Sequence, residues 1–296
     1  MKLSVLIPTY DYKCYTLVAN LYQQLVAARI GYEVIVADDG SRDRVSVISN
    51  LRINELPGCR YVRRERNVGR AAIRNFLVSE AKGEWQLFLD SDAAVDSPLF
   101  IYRLLEAIDH ADGAQVIMGG LHHASRLPDP EVSLRYKYEK EADRHRSAAE
   151  RSLHPYQHTT AFNLCMKSDV ARRLPFEEKC KEYGFEDVYF GATMQRMGVK
   201  VMHIDNPLLH RGLESNEVFL KKTEAAMRTL STLGLRMMLY TGIGRAVVRL
   251  KKWRVKWLVG MLFHIARPLM RRNLLGSNPS LRVFSLYKLG YICSIK

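Results

Sequence analysis

The chain has 296 residues and a formal net charge of +14, long enough for one large α/β core with an appendage or for two modest domains. Its five cysteines (Cys14, Cys59, Cys165, Cys180 and Cys293) are odd in number and scattered, with no CxxC and no Cys/His cluster, which argues against a disulfide framework and a zinc site and for free thiols. The last acidic residue is Glu224, and the 14 Lys and Arg that follow it account for the whole charge excess. A balanced body with a purely basic tail points to an anionic surface, membrane or nucleic acid, as the tail's partner rather than to a basic active site.

Met1-Lys2 runs directly into the strand-like "LSVLIPTY", so no signal peptide is expected and the start belongs to the fold. Apolar runs then alternate with amphipathic stretches. Strands are expected at 2–10, 32–41, 59–65, 84–92 and 114–121, with helices at 15–28, near 43–53, at 69–82 and at 97–111 between them. Near-continuous Val, Ile and Leu in such strands indicates a sheet covered on both faces, hence a mostly parallel α/β sheet flanked by helices. In such sheets ligands sit beyond the carboxyl ends of the strands. The polar signals Pro8-Thr9-Tyr10, Asp38-Asp39-Gly40-Ser41, Asn67-Val68-Gly69-Arg70 and Asp90-Ser91-Asp92 all fall at those ends. From about 125 to 158 the composition turns to mixed charge, with a helix expected near 131–151 as a mobile lid or a solvated structural element. The acidic "GFEDVYFG", a short strand at 199–207 and "LLHRG" follow.

The "DSD" of Asp90-Ser91-Asp92 has two readings. Strands often stop at acids that merely solvate a loop. Two carboxylates one residue apart also suit a hard divalent cation, which takes several oxygen ligands. The company of the motif favours the second reading. "VLIPTY", "EVIVADDGS", "NVGRAAIRN", "LFLDSD", "GFEDVYFG" and "LLHRG", in this order, resemble an inverting nucleotide-sugar glycosyltransferase of family 2 with the type A fold, over residues 2–215.

That resemblance implies a set of roles. Asp92 would ligate Mn2+ or Mg2+, Asp90 and Ser91 would contact the nucleotide sugar, and His210 would complete the metal site. Asp39 would accept from the uracil N–H, while Asp38 is better read as an Asx-turn into the next helix. Pro8, Thr9 and Tyr10 would line the base and ribose. Gly69 would allow close backbone approach, and Arg70 or Arg74 would face the nucleotide, although Ile73 replaces the small residue usual in the family. Asp187 would act as the base and Glu186 would bind the acceptor sugar; an acidic first turn complementing a helix dipole explains the same pair without chemistry. His122 and His123 are expected to have no catalytic role.

The implied domains are a catalytic domain over 1–224, with a nucleotide-sugar half to about 121 and an acceptor half over 122–224, and a basic amphipathic helical region over 225–296. The implied reaction moves a hexose or N-acetylhexosamine from a UDP-sugar to a glycan or lipid-linked acceptor in surface polysaccharide synthesis. A sugar-phosphate nucleotidyltransferase is the enzyme alternative, but it would want a Gly-rich loop with a lysine near residues 5–20, and none stands there. A basic-tailed nucleic-acid-binding protein is the alternative from another class, and no nucleic-acid partner is expected.

The tail segment 244–272 has a longest uncharged run of ten residues, Trp257 to Ala266, about half of the ~20 needed to span a bilayer. Read as one helix, it puts Arg245, Arg249, Lys252 and Lys256 on one stripe and Leu250, Trp253, Trp257 and Met261 on another. This is the layout of a helix lying in a membrane interface; the other reading is a helix packed on the body with its basic face solvated. The expected location is therefore cytoplasmic, peripheral to the inner face of the plasma membrane.

Overall fold

The computed structural model describes residues 1–178, 184–232 and 234–295, so Cys180 lies outside the described residues. In chain order the elements are β1 (Leu3–Thr9), α1 (Tyr15–Ala27), β2 (Tyr32–Asp38), α2 (Arg44–Leu51), β3 (Cys59–Arg63), α3 (Arg70–Glu80), β4 (Trp85–Leu89), β5 (Ala93–Ala94) and α4 (Phe100–Asp109). There follow β6 (Val116–Met118), β7 (Leu121–His122), α5 (Ser133–Asp143), α6 (Ala148–Leu153), β8 (Asn163–Lys167), α7 (Ser168–Arg173), α8 (Glu186–Arg196), β9 (Val201–His203) and β10 (Leu208–His210). The remainder is helical: α9 (Asn216–Thr232), α10 (Leu235–Tyr240), α11 (Gly242–Lys252), α12 (Lys256–Leu274) and α13 (Leu281–Ser294). Two compact units result, one of residues 1–122, 145–179 and 190–212 and one of 123–144, 180–189 and 213–296.

The first unit is built on a seven-stranded sheet of order β3-β2-β1-β4-β8-β6-β9. β3, β2, β1 and β4 are parallel, and β8 runs antiparallel between β4 and β6. The apolar runs of β1, β2 and β4 are continuous because both faces are covered. Leu3, Val5, Ile7, Val34, Val36, Leu87 and Leu89 face α1 and α4 residues such as Leu21 and Phe100. The alternate residues Leu6, Ile35, Ala37 and Phe88 face Ile73 and Leu77 of α3 and Val170 of α7. A second, three-stranded sheet of order β5-β10-β7 stands beyond the end of β4.

The second unit is helical. Leu134 of α5, Phe219 and Leu220 of α9, Phe263 and Leu274 of α12, and Phe284 and Tyr287 of α13 form one buried core. Met227, Leu230, Met238, Val247, Ile292 and Cys293 form another. The charge boundary after Glu224 falls inside α9, and that carboxylate accepts from Arg267 at 3.2 Å, from Arg271 at 3.4 Å and from the Tyr287 hydroxyl. The acid-free region is thus knitted into the unit that contains the last acid.

Two expected helices are corrected. The single helix near 131–151 is a 3-10 turn at Pro130–Val132 followed by α5 and, separately, α6. Ser147 starts α6 with a capping box closed by Glu150, the sequence signal for a new N-terminus. The continuous helix over 244–272 is also broken. Arg254 takes φ +59, its N–H reaches Lys251 O at 3.0 Å, and Val255 N–H reaches Leu250 O at 3.1 Å, the paired bonds of a Schellman stop. Leu250 packs, partly buried, against the second unit's core and leaves the stripe expected of it.

Candidate functional site

The carboxyl ends of β2, β1 and β4 lie side by side, with Thr9 in register with Asp38 and Leu6 with Phe88. The loops leaving them are stitched together by short polar bonds. Asp39 N–H donates to Thr9 O at 2.9 Å and Asp11 N–H to the Ser41 hydroxyl at 2.8 Å. Asp11 Oδ1 in turn accepts from the N–H groups of Arg42 at 2.6 Å and Asp43 at 2.8 Å. Gly40 is required here: at φ +75 an added Cβ would come 2.7 Å from the Arg66 carbonyl carbon, so the β2 loop passes against the loop before α3 with no room for a side chain.

The two acids of "DDGS" have separate tasks. Asp38 is fully buried, accepts from Ser41 N–H at 2.7 Å and accepts a second bond from the Tyr61 hydroxyl. Burial first, then this bond to Asp38, holds the Tyr61 phenol well above the usual tyrosine range. This is the turn-making role expected of Asp38. Asp39 accepts from Val68 N–H at 2.8 Å and Gly69 N–H at 2.9 Å. Burial raises its pKa, opposed by those two bonds. Asp39 therefore fixes the entry to α3, whose first residue Arg70 is exposed and whose N-cap Gly69 has φ +94.

α3 then supplies an arginine to the end of β4. Arg74 is 4% exposed, donates from Nη2 to Asp90 Oδ1 at 2.7 Å and lies 5.4 Å over the Phe176 ring. Ile73, the departure from the family pattern, points into the sheet core beside Leu77. It does not displace Arg74. Asn75 does not face the site: it donates to Phe176 O and accepts from Phe176 N–H, fastening the segment after α7.

Asp92 is positioned from the other side. Ala93 in β5 pairs with His210 in β10, Arg211 N–H donates to Asp92 O at 3.0 Å, and His210 Nε2 stands 3.2 Å from Asp92 Oδ2. His210 is buried, its ring edge-on to Phe162 at 5.2 Å. An added Cβ at Gly212 would lie 1.8 Å from Asp92 Oδ2, so this glycine makes room for the carboxylate. Burial and then the Asp92 charge raise the Tyr12 pKa, with Arg211 opposing. A carboxylate oxygen and an imidazole nitrogen converging at this distance suit Mn2+ or Mg2+ completed by phosphate oxygens and water.

Thr9 is buried, with its hydroxyl donating to Tyr12 O at 3.2 Å, while Tyr10 is exposed beside it. The expected donor-side residues thus share one edge of the first unit. Glu186 and Asp187 begin α8 in the second unit. The chain enters α8 through two residues of positive φ, Gly184 at +104 and Phe185 at +67, and Glu186 Oε2 accepts from Gly184 N–H at 2.9 Å. At Gly184 a Cβ would meet Ala226 Cβ at 2.6 Å, which locks this sharp entry against α9. Sequence reasoning missed Tyr12, Arg211 and Gly212, and it left Arg74 undecided. The "HRG" after β10 was the available signal for Arg211 and Gly212.

Comparison with known proteins bears on this arrangement. The family described as "Glycosyl transferase family 2" matches residues 4–168, from β1 to the start of α7. Chondroitin synthase of Escherichia coli is 25% identical over 240 residues, 70% of this chain and 34% of that protein. The chain spans about a third of the length of the curated relatives it matches. Among solved structures, the mannosyltransferase PcManGT from Pyrobaculum calidifontis, in complex with GDP-Man and Mn2+, has a TM-score of 0.54 at 14% identity and covers 78% of this chain and 63% of that one. S. aureus TarS 1-349 in complex with UDP has a TM-score of 0.51 at 16% identity and covers 99% and 89%. These likenesses show the type A fold, and the family match takes in both the "DDGS" turn and the "DSD". With more than half of its length matched and the loops of that match gathered on one sheet edge, the chain belongs to glycosyl transferase family 2.

Proposed function

We propose that the chain transfers a hexose or N-acetylhexosamine, with inversion, from a UDP-sugar to a hydroxyl of a glycan or lipid-linked acceptor in polysaccharide synthesis. The observation that carries this reading is the opposed pair Asp92 and His210, with Asp92 two residues beyond an Asp90 held by buried Arg74. Asp92 and His210 would hold Mn2+ or Mg2+. Such an ion supplies, when bound, the positive charge that neutralises a departing diphosphate. Asp90 and Ser91 are assigned to the ribose side of the donor, and Pro8, Thr9, Tyr10, Asp39, Gly69 and Arg70 to its base and ribose. The complexes of TarS with UDP and of PcManGT with GDP-Man and Mn2+ support the donor and cation classes.

Inversion by direct displacement asks one carboxylate to take the acceptor hydroxyl's proton as the sugar–diphosphate bond breaks. Asp187 is assigned that proton, and Glu186 the acceptor sugar. The sharp entry through Gly184 and Phe185, both of positive φ, sets the two acids at the start of α8. The test is a donor screen with the purified protein and Mn2+, reading released nucleoside diphosphate. UDP release from one sugar donor, absent in Asp92→Ala, is expected. No release from any nucleotide sugar, or equal release by Asp92→Ala, would defeat the reading.

A further inference from the structure

The outer face of α12 in the second unit has no place in the transfer reaction. The inner face packs closely on α13: Phe263 meets Tyr287 edge-on at 5.1 Å, and Cβ atoms added at Gly260 or Gly290 would come 2.9 Å from Cys293 O or 2.5 Å from the Phe263 ring. The outer face carries Trp257, Met261, Ile265 and Leu269 at four-residue spacing, flanked by Leu258 and Leu262. Trp257, Ile265 and Leu269 are 67%, 72% and 73% exposed. Residues four apart on a helix are neighbours, so these six side chains form one contiguous apolar strip. Patches of that kind mark an interaction surface.

The surroundings say what covers it. At the α11–α12 break a cavity of about 610 Å³ is lined by Lys251, Arg254 and Lys256 together with Trp257, Met261 and His264. Lys251, Lys252 and Arg254 are exposed there, and Arg245 and Arg249 extend the positive charge along α11. No acid follows Glu224 in the chain to offset them. An apolar strip bordered by cations alone is complementary to anionic lipid, whose phosphates meet the cations while the strip enters the acyl boundary. Nucleic acid would use the cations but leave six large apolar side chains in water. Among the described residues no helix is long and apolar enough to cross a membrane, and the pattern of α12 suits a helix lying in the interface.

We infer that α12 is a membrane-interface helix that docks the protein on an anionic phospholipid surface, with lipid phosphates at the Lys251–Arg254–Lys256 rim and Trp257, Met261, Ile265 and Leu269 inserted. This docking is separate from the transfer chemistry. The exposed positions differ from the sequence-based stripe because Leu250 packs, partly buried, against the second unit's core, and Ile265 and Leu269 continue the strip instead.

The test is co-sedimentation of the full chain with phosphatidylglycerol/phosphatidylcholine vesicles and with phosphatidylcholine vesicles, at low and high salt. Binding to the anionic vesicles, weakened by salt, is expected. Ile265→Glu with Leu269→Glu should lower the partition at least tenfold, as should Lys251→Glu with Arg254→Glu, whereas Leu286→Glu, on the exposed side of α13, should not. Melting temperatures near that of the unaltered protein would show that the variants fold. The unaltered protein needs no substitution for a second readout: tryptophan emission should shift to the blue on anionic vesicles, since Trp253 and Trp257 are exposed and Trp85 is already buried. Undiminished binding by the Ile265/Leu269 variant, or a dimer that this variant converts to a monomer without changing vesicle partition, would overturn the inference. Absence of the emission shift would do so too.

Discussion

Arg74 and Asp90 join the middle of α3 to the end of β4 through a 2.7 Å ion pair whose arginine is almost completely buried and whose aspartate is 31% exposed. The first acid of the "DSD" is therefore oriented from beneath by a fixed positive charge, while the second is oriented by His210 from β10. The two carboxylates thus have different partners on opposite sides of one short turn.

Removing the arginine should cost both stability and donor affinity. Arg74→Met leaves Asp90 without its buried counter-charge; breaking a buried pair from one side costs about 3–5 kcal/mol, and the partial exposure of Asp90 lowers the expectation to about 2 kcal/mol. Urea unfolding of Arg74→Met, Asp90→Asn and the double variant would measure the coupling. A change below about 0.5 kcal/mol for Arg74→Met would mean that the pair does not hold the loop.

Gly212→Ala tests the space beside Asp92. Its Cβ would overlap Asp92 Oδ2, so the carboxylate must move, and Mn2+-dependent UDP binding should fall at least tenfold with the melting temperature nearly unchanged. Asp92→Ala should abolish the metal-dependent part, and His210→Ala should weaken it. Calorimetric titrations with UDP, with and without Mn2+, compare all three. Equal affinities in Mn2+ for Asp92→Ala and the unaltered protein would remove Asp92 from the metal site.

Asp187→Asn should keep UDP and metal binding and lose about 10²–10⁴-fold in transfer rate, the usual size of a general-base contribution. Single-turnover transfer and a parallel UDP titration separate the two effects. Near-normal transfer would show that another group takes the proton.

His203 gives a pH signature that belongs to the first unit's core. Arg151 Nη1 donates to its Nδ1 at 2.8 Å and its Nε2–H donates to Pro155 O at 3.0 Å, so the ring is the neutral Nε2–H tautomer. Burial, with the Arg151 charge adding to it, pushes its pKa from 6.5 down to about 4. A depressed histidine pKa contributes stability above pH 6.5, and that contribution is lost as pH falls from 6.5 to 4, because the unfolded chain binds the proton first. At about 1.4 kcal/mol per pKa unit, about 3 kcal/mol is at stake. Unfolding free energies across that window should fall more steeply for the unaltered protein than for His203→Gln, and parallel curves would contradict the assignment.

The packing of the tail decides which variants can report on membrane docking. Ending the chain after Gly242 would remove Phe263, Leu274, Phe284 and Tyr287 from the second unit's core. Loss of membrane binding would then report unfolding, which is why exposed single positions on α12 are the informative ones.

The alternation of buried strands and amphipathic helices was readable in the sequence because period-2 and period-3.6 apolar patterns are local. So was the placement of polar motifs at strand ends. β8 escaped that reading: its antiparallel insertion between β4 and β6 is a matter of register between distant segments. Asp38 was legible as a turn acid for the same local reason, since its Oδ1 accepts from nearby Ser41; its second bond, from the Tyr61 hydroxyl of β3, was not. Asp39 was not, because its partners Val68 and Gly69 arrive from another loop. Arg74 remained ambiguous in "NVGRAAIRN" until the packing of α3 on the sheet brought its guanidinium to Asp90. The tail shows the same division. Its charge and amphipathic character are properties of composition, but whether Leu250 or Leu269 faces solvent depends on the stop at Arg254 and on which side of α12 meets α13. A helical stripe fixes which residues share a face; only the tertiary neighbours decide which face is left over.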